Sequence, residues 1–252
     1  MIFTNLIETN LKTTRVGRSI EYYSFTDSTN DDAIDLINSG EAKDGMIIIT
    51  DYQKNGRGRR NNKWISSPGE NLTFSLILKE NNEKKIRLLS ILTGIAIVNG
   101  IKEFAKINCS LKWPNDIILN EKKVGGILIE TKKVNTDTYV VLGIGLNINQ
   151  QEISPDLKKI ASSLRLESSK PVQREPLLAF ILNEFEYLYN SDIANWANLW
   201  EEHCNHLNKE IRFHQNNKII HGVFTSIDTN GNAIINTDSE QLSISTGILE
   251  VS

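Results

Sequence analysis

Apolar positions change their period several times along the chain, and each change marks an element. After Phe25 a helix is predicted: Ser28 is placed to cap it, Asp31 follows three residues on, Ile34 and Ile37 share a face, and Gly40 supplies the stop. The run MIIIT at 46–50 reads as a buried strand, and NLTFSLIL at 71–78 alternates so that Leu72, Phe74, Leu76 and Leu78 share one face. Residues 85–105, rich in Leu, Ile and Ala and free of proline, predict a long and mostly buried helix. Three more strands are expected: around Leu111 and 117–119, at 124–130, and at 139–148. A polar connection after Gln150 leads to helices expected over 175–189, with Pro176 tolerated in the first turn, and over 193–207. From Ile211 short alternating runs broken at Asn216-Asn217 and Asn230-Gly231 predict a small all-β appendage built of hairpins.

The chain has 252 residues, enough for one large domain and a small one. Its net charge of -3 argues against a general nucleic-acid or anionic-membrane binder. Cys109 and Cys204 are too few and too far apart for a disulfide framework, so a reducing cytoplasm is the expected compartment. The first residues, MIFTNLIETN, have no cationic start and include Glu8, which argues against a signal peptide. The greasiest stretch, 88–101, is interrupted by Ser90, Thr93 and Asn99 and reads as too short to span a bilayer, so a soluble protein with no membrane partner is expected.

Against that acidic background the segment KNGRGRRNNK at 54–63 holds five cationic side chains, two glycines and no acid. It reads either as a solvated basic loop or as a mobile anion grip: Gly56 and Gly58 allow close backbone approach, and Arg57, Arg59 and Arg60 can fork onto phosphate or carboxylate. In the strand at 139–148 one face is Val140, Leu142, Ile144, Leu146 and Ile148, and the other carries Val141, Gly143, Gly145, Asn147 and Asn149. Two strand glycines at spacing two predict that something flat lies on that face, a ligand or a crossing backbone. GIGLNI lacks the third glycine of a dinucleotide fingerprint and is not read as one. In LKWPNDII at 111–118, Pro114 makes a corner that presents Asn115 and Asp116. Lys122 and Lys123 precede Val124-Gly125-Gly126, where a lysine beside bare backbone suits a phosphate or carboxylate, or else is a solvated pair in a turn.

Taken together, DSTN at 27–30, TDYQKNGRGRRNNKW at 50–64, LKWPNDI, KVGGILIE at 123–130 and LGIGLNIN at 142–149 resemble the biotin protein ligase family, and ASSL at 161–164 resembles a further short element of it. The resemblance implies an α+β fold, a mixed and largely antiparallel sheet packed with helices of the class II synthetase type, with a small C-terminal β-barrel. It implies a catalytic domain at 1–207 and the barrel at 208–252, without the N-terminal winged helix of some members. The implied activity is ATP-dependent activation of biotin as biotinyl-5'-AMP and transfer to a lysine of a biotin carboxyl carrier domain of a carboxylase, with ATP and Mg2+ as the substrate complex. A homodimer is compatible with the family.

The implied roles fall on particular positions. Ser28, Thr29, Asn30 and Gln53 would surround biotin, the first two and Gln53 bonding its ureido group, with Gly56, Arg57 and Arg59 over its arm and carboxylate and Gly125, Gly126, Gly143 and Gly145 beside it. Arg59 and Lys123 would be catalytic, both facing the reacting carboxylate and the α-phosphate, so that Lys123 too would contact biotin. Arg60, Trp64, Lys112, Asn115, Asp116 and Asn147 would face the nucleotide, Trp64 by stacking near adenine, and no protein metal ligand is assigned. Asn61-Asn62 departs from the family's RRGRKW pattern and receives no role. A lipoate ligase or octanoyl transferase is the nearest rival, disfavoured by the GRGRR and KWPND segments and by the placement of Cys109. A nucleic-acid regulator using the arginine loop is disfavoured by the acid balance. His203, Cys204 and His206, with His214 and His221 beyond, do not have structural zinc spacing.

Overall fold

The computed structural model describes residues 1–215 and 218–251. The Asn216-Asn217 turn expected above lies outside them. The chain opens with helix α1 (Thr4–Asn10) and strand β1 (Ile20–Tyr23), neither foreseen because both are short and weakly patterned. There follow α2 (Thr29–Ser39), β2 (Ile47–Thr50), β3 (Leu72–Lys79), α3 (Glu83–Ala105), β4 (Ser110–Lys112), β5 (Asp116–Leu119), β6 (Lys122–Val134) and β7 (Asp137–Leu146). After α4 (Leu164–Ser168), α5 (Arg174–Tyr189) and α6 (Trp196–Glu202) come β8 (Lys209–Gln215), β9 (Lys218–Ile227), β10 (Ala233–Asn236), β11 (Gln241–Ile244) and β12 (Ile248–Val251). The helix expected over 193–207 is thus cut to a short 3-10 turn and α6. Residues beyond it bridge instead to the sheet, Leu111 N donating to His203 O and Asn205 N to Leu111 O.

The first seven strands form one sheet in the order β1-β2-β3-β7-β6-β5-β4, antiparallel except for the β1–β2 pair. Its two faces are unequal. Leu72, Phe74, Leu76 and Leu78 of β3, with Val140, Leu142, Ile144 and Leu146 of β7, join α3 and α5 in the main core. The opposite face has only a small apolar patch, Ile48, Ile77 and Val141, covered by Ala33 and Ile37 of α2. Further along that face the inward positions are Thr73, Ser75, Gly143 and Gly145, too small and polar to make a core.

Helix α3 is longer than expected at 23 residues and meets the length and composition of a membrane span, but most of it is buried between sheet and α5. The C-terminal strands form the expected small antiparallel unit, with ladder β11-β10-β9-β8-β12. Its apolar residues run into the main core without a break. Trp113 is buried, packs 5.9 Å from the Phe213 ring centroid, and donates Nε1–H to Gly231 O at 3.0 Å.

Candidate active site

Sheet register builds the floor. Thr73 of β3 pairs with Gly145 of β7, Gly145 with Gly126 of β6, Gly126 with Asp116 of β5, and Asp116 with Lys112 of β4. One row across five strands therefore runs from a hydroxyl over bare backbone to a carboxylate and an ammonium. A neighbouring row is Ser75, Gly143 and Leu128. This floor underlies a cleft of about 790 Å³.

At one end the start of α2 supplies the polar groups. Gln53 Oε1 accepts from Thr29 N at 2.8 Å and Thr29 Oγ1 at 3.1 Å, and Ser75 Oγ shares its one hydrogen between Thr29 Oγ1 at 2.7 Å and Asn30 Oδ1 at 2.6 Å. Ser28 is the N-cap residue by position, yet its side chain makes no capping bond. The plain N-cap reading of the Ser28 hydroxyl therefore fails, and Gln53 satisfies a different orphan donor of the first turn, Thr29 N.

Asn30 and Trp64 explain the strand glycines. A Cβ on Gly143 would stand 2.4 Å from Asn30 Oδ1, and one on Gly145 would stand 2.3 Å from Trp64 Cε2. The flat object on the bare face is thus the Trp64 indole itself rather than a crossing strand. Its Nε1 is buried without a partner, as are Thr73 Oγ1 beside it and Asn147 Oδ1.

The other end gathers charge. Lys123 Nζ lies 2.6 Å from Asp116 Oδ1, an ion pair rather than an aligned hydrogen bond. Gly126 leaves room for it, since a Cβ there would lie 3.3 Å from Lys123 Nζ. Lys123 belongs to β6 and not to a turn; the register between β5 and β6 shifts around Val124, and such a bulge re-aims the adjacent side chains. Asn115 donates Nδ2–H to Ile127 O at 2.7 Å and accepts at Oδ1 from Arg59 at 3.2 Å, so the Trp113-Pro114 corner, a cis peptide, is pinned to β6.

The basic segment forms a folded roof over this floor. Trp64 N donates to Gly56 O and Gly58 N to Asn62 O, while Arg60 adopts the left-handed region at φ 56°. Arg57 pairs outward with Asp31 and Glu130, and the hydrogen bond to Asp31 leads the effects that raise its pKa. Arg59 points in, donating to Asn115 and, at 3.0 Å, to Thr246 Oγ1 of the C-terminal unit. Burial, then the Arg60 charge, lowers the Arg59 pKa, which marks a cation kept from water beside another cation.

Of the residues expected at the site, Ser28, Thr29, Asn30, Gln53, Arg57, Arg59, Arg60, Trp64, Lys112, Asn115, Asp116, Lys123, Gly126, Gly143 and Gly145 all line this one cleft. Three stand back from it. Gly125 faces the core, where a Cβ would meet Leu146 Cδ2 at 2.4 Å; Gly56 is pressed between Gln53 and the Trp64 carbonyl; and Asn147 is spent partly on structure, donating Nδ2–H to Ser162 O at 3.0 Å. Thr73 and Ser75 were overlooked, although their alternation in NLTFSLIL places them opposite the core face. No sequence signal pointed to Lys159 or Ile160 at the cleft, or to Thr246 as a partner of Arg59.

Cys109 is buried against the main core, and burial pushes its thiol up to about 12, so it cannot supply a thiolate. His206 is fully buried between Trp200 and Phe224, with Cys204 Sγ 3.3 Å from its Nδ1. Among the described residues no group of three or more His, Cys, Asp or Glu side chains is placed to hold a metal.

Comparison with known proteins agrees with the geometry. The profile of the biotin/lipoate A/B protein ligase family matches residues 22–147, and that of the biotin protein ligase C-terminal domain matches residues 206–251. The chain is 33% identical over 240 residues to the bifunctional ligase/repressor BirA of Bacillus subtilis, covering 92% of this chain and 74% of that one. It is 29% identical over 188 residues to the biotin–[acetyl-CoA-carboxylase] ligase of Mycobacterium tuberculosis, covering 72% and 66%. The solved biotin protein ligase from Aquifex aeolicus in complex with biotin and ATP superposes with a TM-score of 0.80 at 26% identity, over 93% of this chain and 100% of that one. The chain therefore belongs to the biotin/lipoate A/B protein ligase family and is an enzyme of its biotin protein ligase branch.

Proposed function

We propose that this enzyme joins biotin to ATP as biotinyl-5'-AMP and then passes the biotinyl group to a lysine amine on a carrier domain of a biotin-dependent carboxylase. The observation that carries the reading is the single cleft in which a neutral hydrogen-bonding end (Ser28, Thr29, Gln53) faces a cationic end (Lys112, Lys123, Arg59) across a glycine floor that seats the Trp64 indole. A ureido ring suits the first end and two anions suit the second. Between them the glycine backbone lets Asn30 and the Trp64 indole lie close on the floor, and the indole offers a flat apolar surface to an aliphatic arm.

In the first half-reaction a biotin carboxylate oxygen bonds the α-phosphorus of ATP while the bond from that phosphorus to the pyrophosphate oxygen breaks. Two anions must meet, so positive charge has to be waiting where charge accumulates. Lys123 and Arg59 supply it, and Lys123 can exchange Asp116 for the incoming oxygen. No base is needed, because an aliphatic carboxylic acid is ionised at neutral pH. Lys112, Asn115, Asp116 and Arg60 form the nucleotide side, with Trp64 between it and the biotin arm and Asn147 behind them, bonded to Ser162 O. Magnesium arrives as part of the ATP substrate and is held by phosphates and water; Asp116, the nearest carboxylate, is already paired with Lys123.

The product is a mixed anhydride that water would cleave. The roof formed by the basic loop excludes solvent, with Arg59 latching it to Asn115 and Thr246. In the second half-reaction a lysine nitrogen attacks the acyl carbon and AMP leaves. With an ordinary pKa near 10.4, only about one lysine amine in a thousand is neutral at pH 7.4. Asp116, freed when Lys123 turns to phosphate, orients that amine. The catalytic domain at 1–207 would carry this chemistry, with Lys209 and 247–251 of the C-terminal unit completing the rim.

The test is incubation with biotin, MgATP and a carrier domain, read by intact mass, with lipoate in a parallel arm. A gain of one biotinyl group supports the reading. A lipoyl gain, or none, overturns it.

A further inference from the structure

The ASSL segment and the short helix after it take no part in the chemistry above, yet they clamp the residue that matters most. Beside the β6 bulge the Lys123 backbone finds its partners on this strap: Lys123 N donates to Ile160 O at 2.8 Å, and Lys123 O accepts from Ser162 N at 2.9 Å. The strap is in turn fixed by Glu167 of α4, whose Oε1 accepts from Ser162 Oγ at 2.6 Å. The same carboxylate takes Lys122 Nζ at 3.2 Å on Oε1 and Asn120 Nδ2 at 2.9 Å on Oε2. Asn120 and Glu121, both at positive φ, form the tight turn between β5 and β6. One carboxylate thus holds the strap, the turn and the neighbouring lysine.

Glu167 is well covered, its side chain 13% exposed, and the Ser162 hydrogen bond leads the effects that hold its carboxyl below the usual range. Ser163 roots the helix, accepting from Leu166 N and donating to Gln150 O. Lys122 and Lys123 are adjacent, and their side chains leave the strand on opposite faces. Glu167 ties Lys122 down on the outer side while Lys123 reaches Asp116 within the cleft.

We propose that Glu167 is a positioning residue for the first half-reaction, setting the Lys123 ammonium through Ser162 and the strap. The inference rests on the functional reading above. Misplacing a group that stabilises a transition state by about an ångström costs up to ~100-fold in rate, whereas biotin recognition sits at the far end of the floor and is untouched.

The test measures biotin-dependent exchange of pyrophosphate into ATP for the unaltered chain, Glu167→Gln, Ser162→Ala and the double variant. Each single variant is expected to lower kcat by about ten- to a hundredfold, with KM for biotin within about twofold. Transfer to a carrier domain from supplied biotinyl-5'-AMP, where Lys123 acts only by freeing Asp116, is expected to fall by clearly less than exchange does. Because the two residues act through one hydrogen bond, the double variant is expected to match the weaker single. Normal exchange in both single variants overturns the inference. So does a parallel fall in kcat, biotin affinity, transfer and thermal midpoint, which would mark a purely structural residue. Absence of exchange in the unaltered chain overturns the functional reading and this inference with it.

Discussion

Lys123 and Arg59 are two cations of one cleft with different surroundings, and their loss has different consequences. Lys123 stands on rigid strand beside Asp116, where charge develops during adenylation. Lys123→Ala is expected to slow biotin-dependent pyrophosphate exchange by about 10²–10³-fold, the usual cost of one preorganised charge-stabilising group; near-normal pyrophosphate release would remove Lys123 from the mechanism. Arg59 instead joins the roof to Asn115 and Thr246. Arg59→Gly is expected to leave adenylate synthesis measurable while the intermediate escapes, so that a filtration assay recovers free adenylate; full retention would contradict the latch. Both residues were legible as cations in glycine-bearing segments. Their partners were not, because Asp116, Asn115 and Thr246 reach them only through strand pairing and chain return.

At the scale of elements, short connections are held by buried polar groups that periodicity does not register. Glu186 of α5 accepts from the backbone N–H groups of Thr14, Arg15 and Val16 at 2.5, 2.9 and 2.7 Å, pinning the segment that leads into β1. Burial opposes its ionisation, but those three donors outweigh burial and hold the carboxyl below its ordinary value. Stability from this group is therefore full above the unfolded pKa, near 4.3, and is lost as pH falls through the lower folded value. Glu186→Gln is expected to cost about 2 kcal/mol at pH 7, as for hydrogen bonds to a charged group. Urea titration at pH 7 and pH 4 checks it, the difference from the unaltered chain shrinking at the lower pH. The strands with strict alternation and the long helix were read correctly to within a few residues. The segment at 193–207 was read as too long a helix, since the backbone of His203 to Asn205 turns aside to pair with Leu111, while Trp196 and Trp200 of α6 do pack into the core.

Across the whole molecule the two sheets share one core, and His206 lies at the seam between α6 and β9. Burial, then the charges of Lys112 and Lys209, presses its pKa down to about 3. The unfolded chain takes up this proton near pH 6.5 and the folded chain does not. The neutral histidine thus costs nothing above pH 6.5, and stability drains away as pH falls from there toward the folded value. His206→Gln is expected to flatten the dependence of thermal midpoint on pH between 6.5 and 5, a window above that of Glu186. An unchanged slope would show that the seam opens to admit the proton.

By itself the sequence determined the parts: alternation marked the strands and their buried faces, two glycines at spacing two marked a sheet face on which something flat lies, and a basic loop in an acidic chain marked a candidate anion grip. These are local properties, carried by the period of side chains along one segment. Only the tertiary structure decided that Thr73, Gly145, Gly126, Asp116 and Lys112 form one row, that Gly125 turns to the core while Gly126 opens to the cleft, and that a strap from beyond Gln150 grips Lys123. Register between strands, the bulge in β6 and the return of distant chain are set by packing across the sheet, and no single segment contains that information.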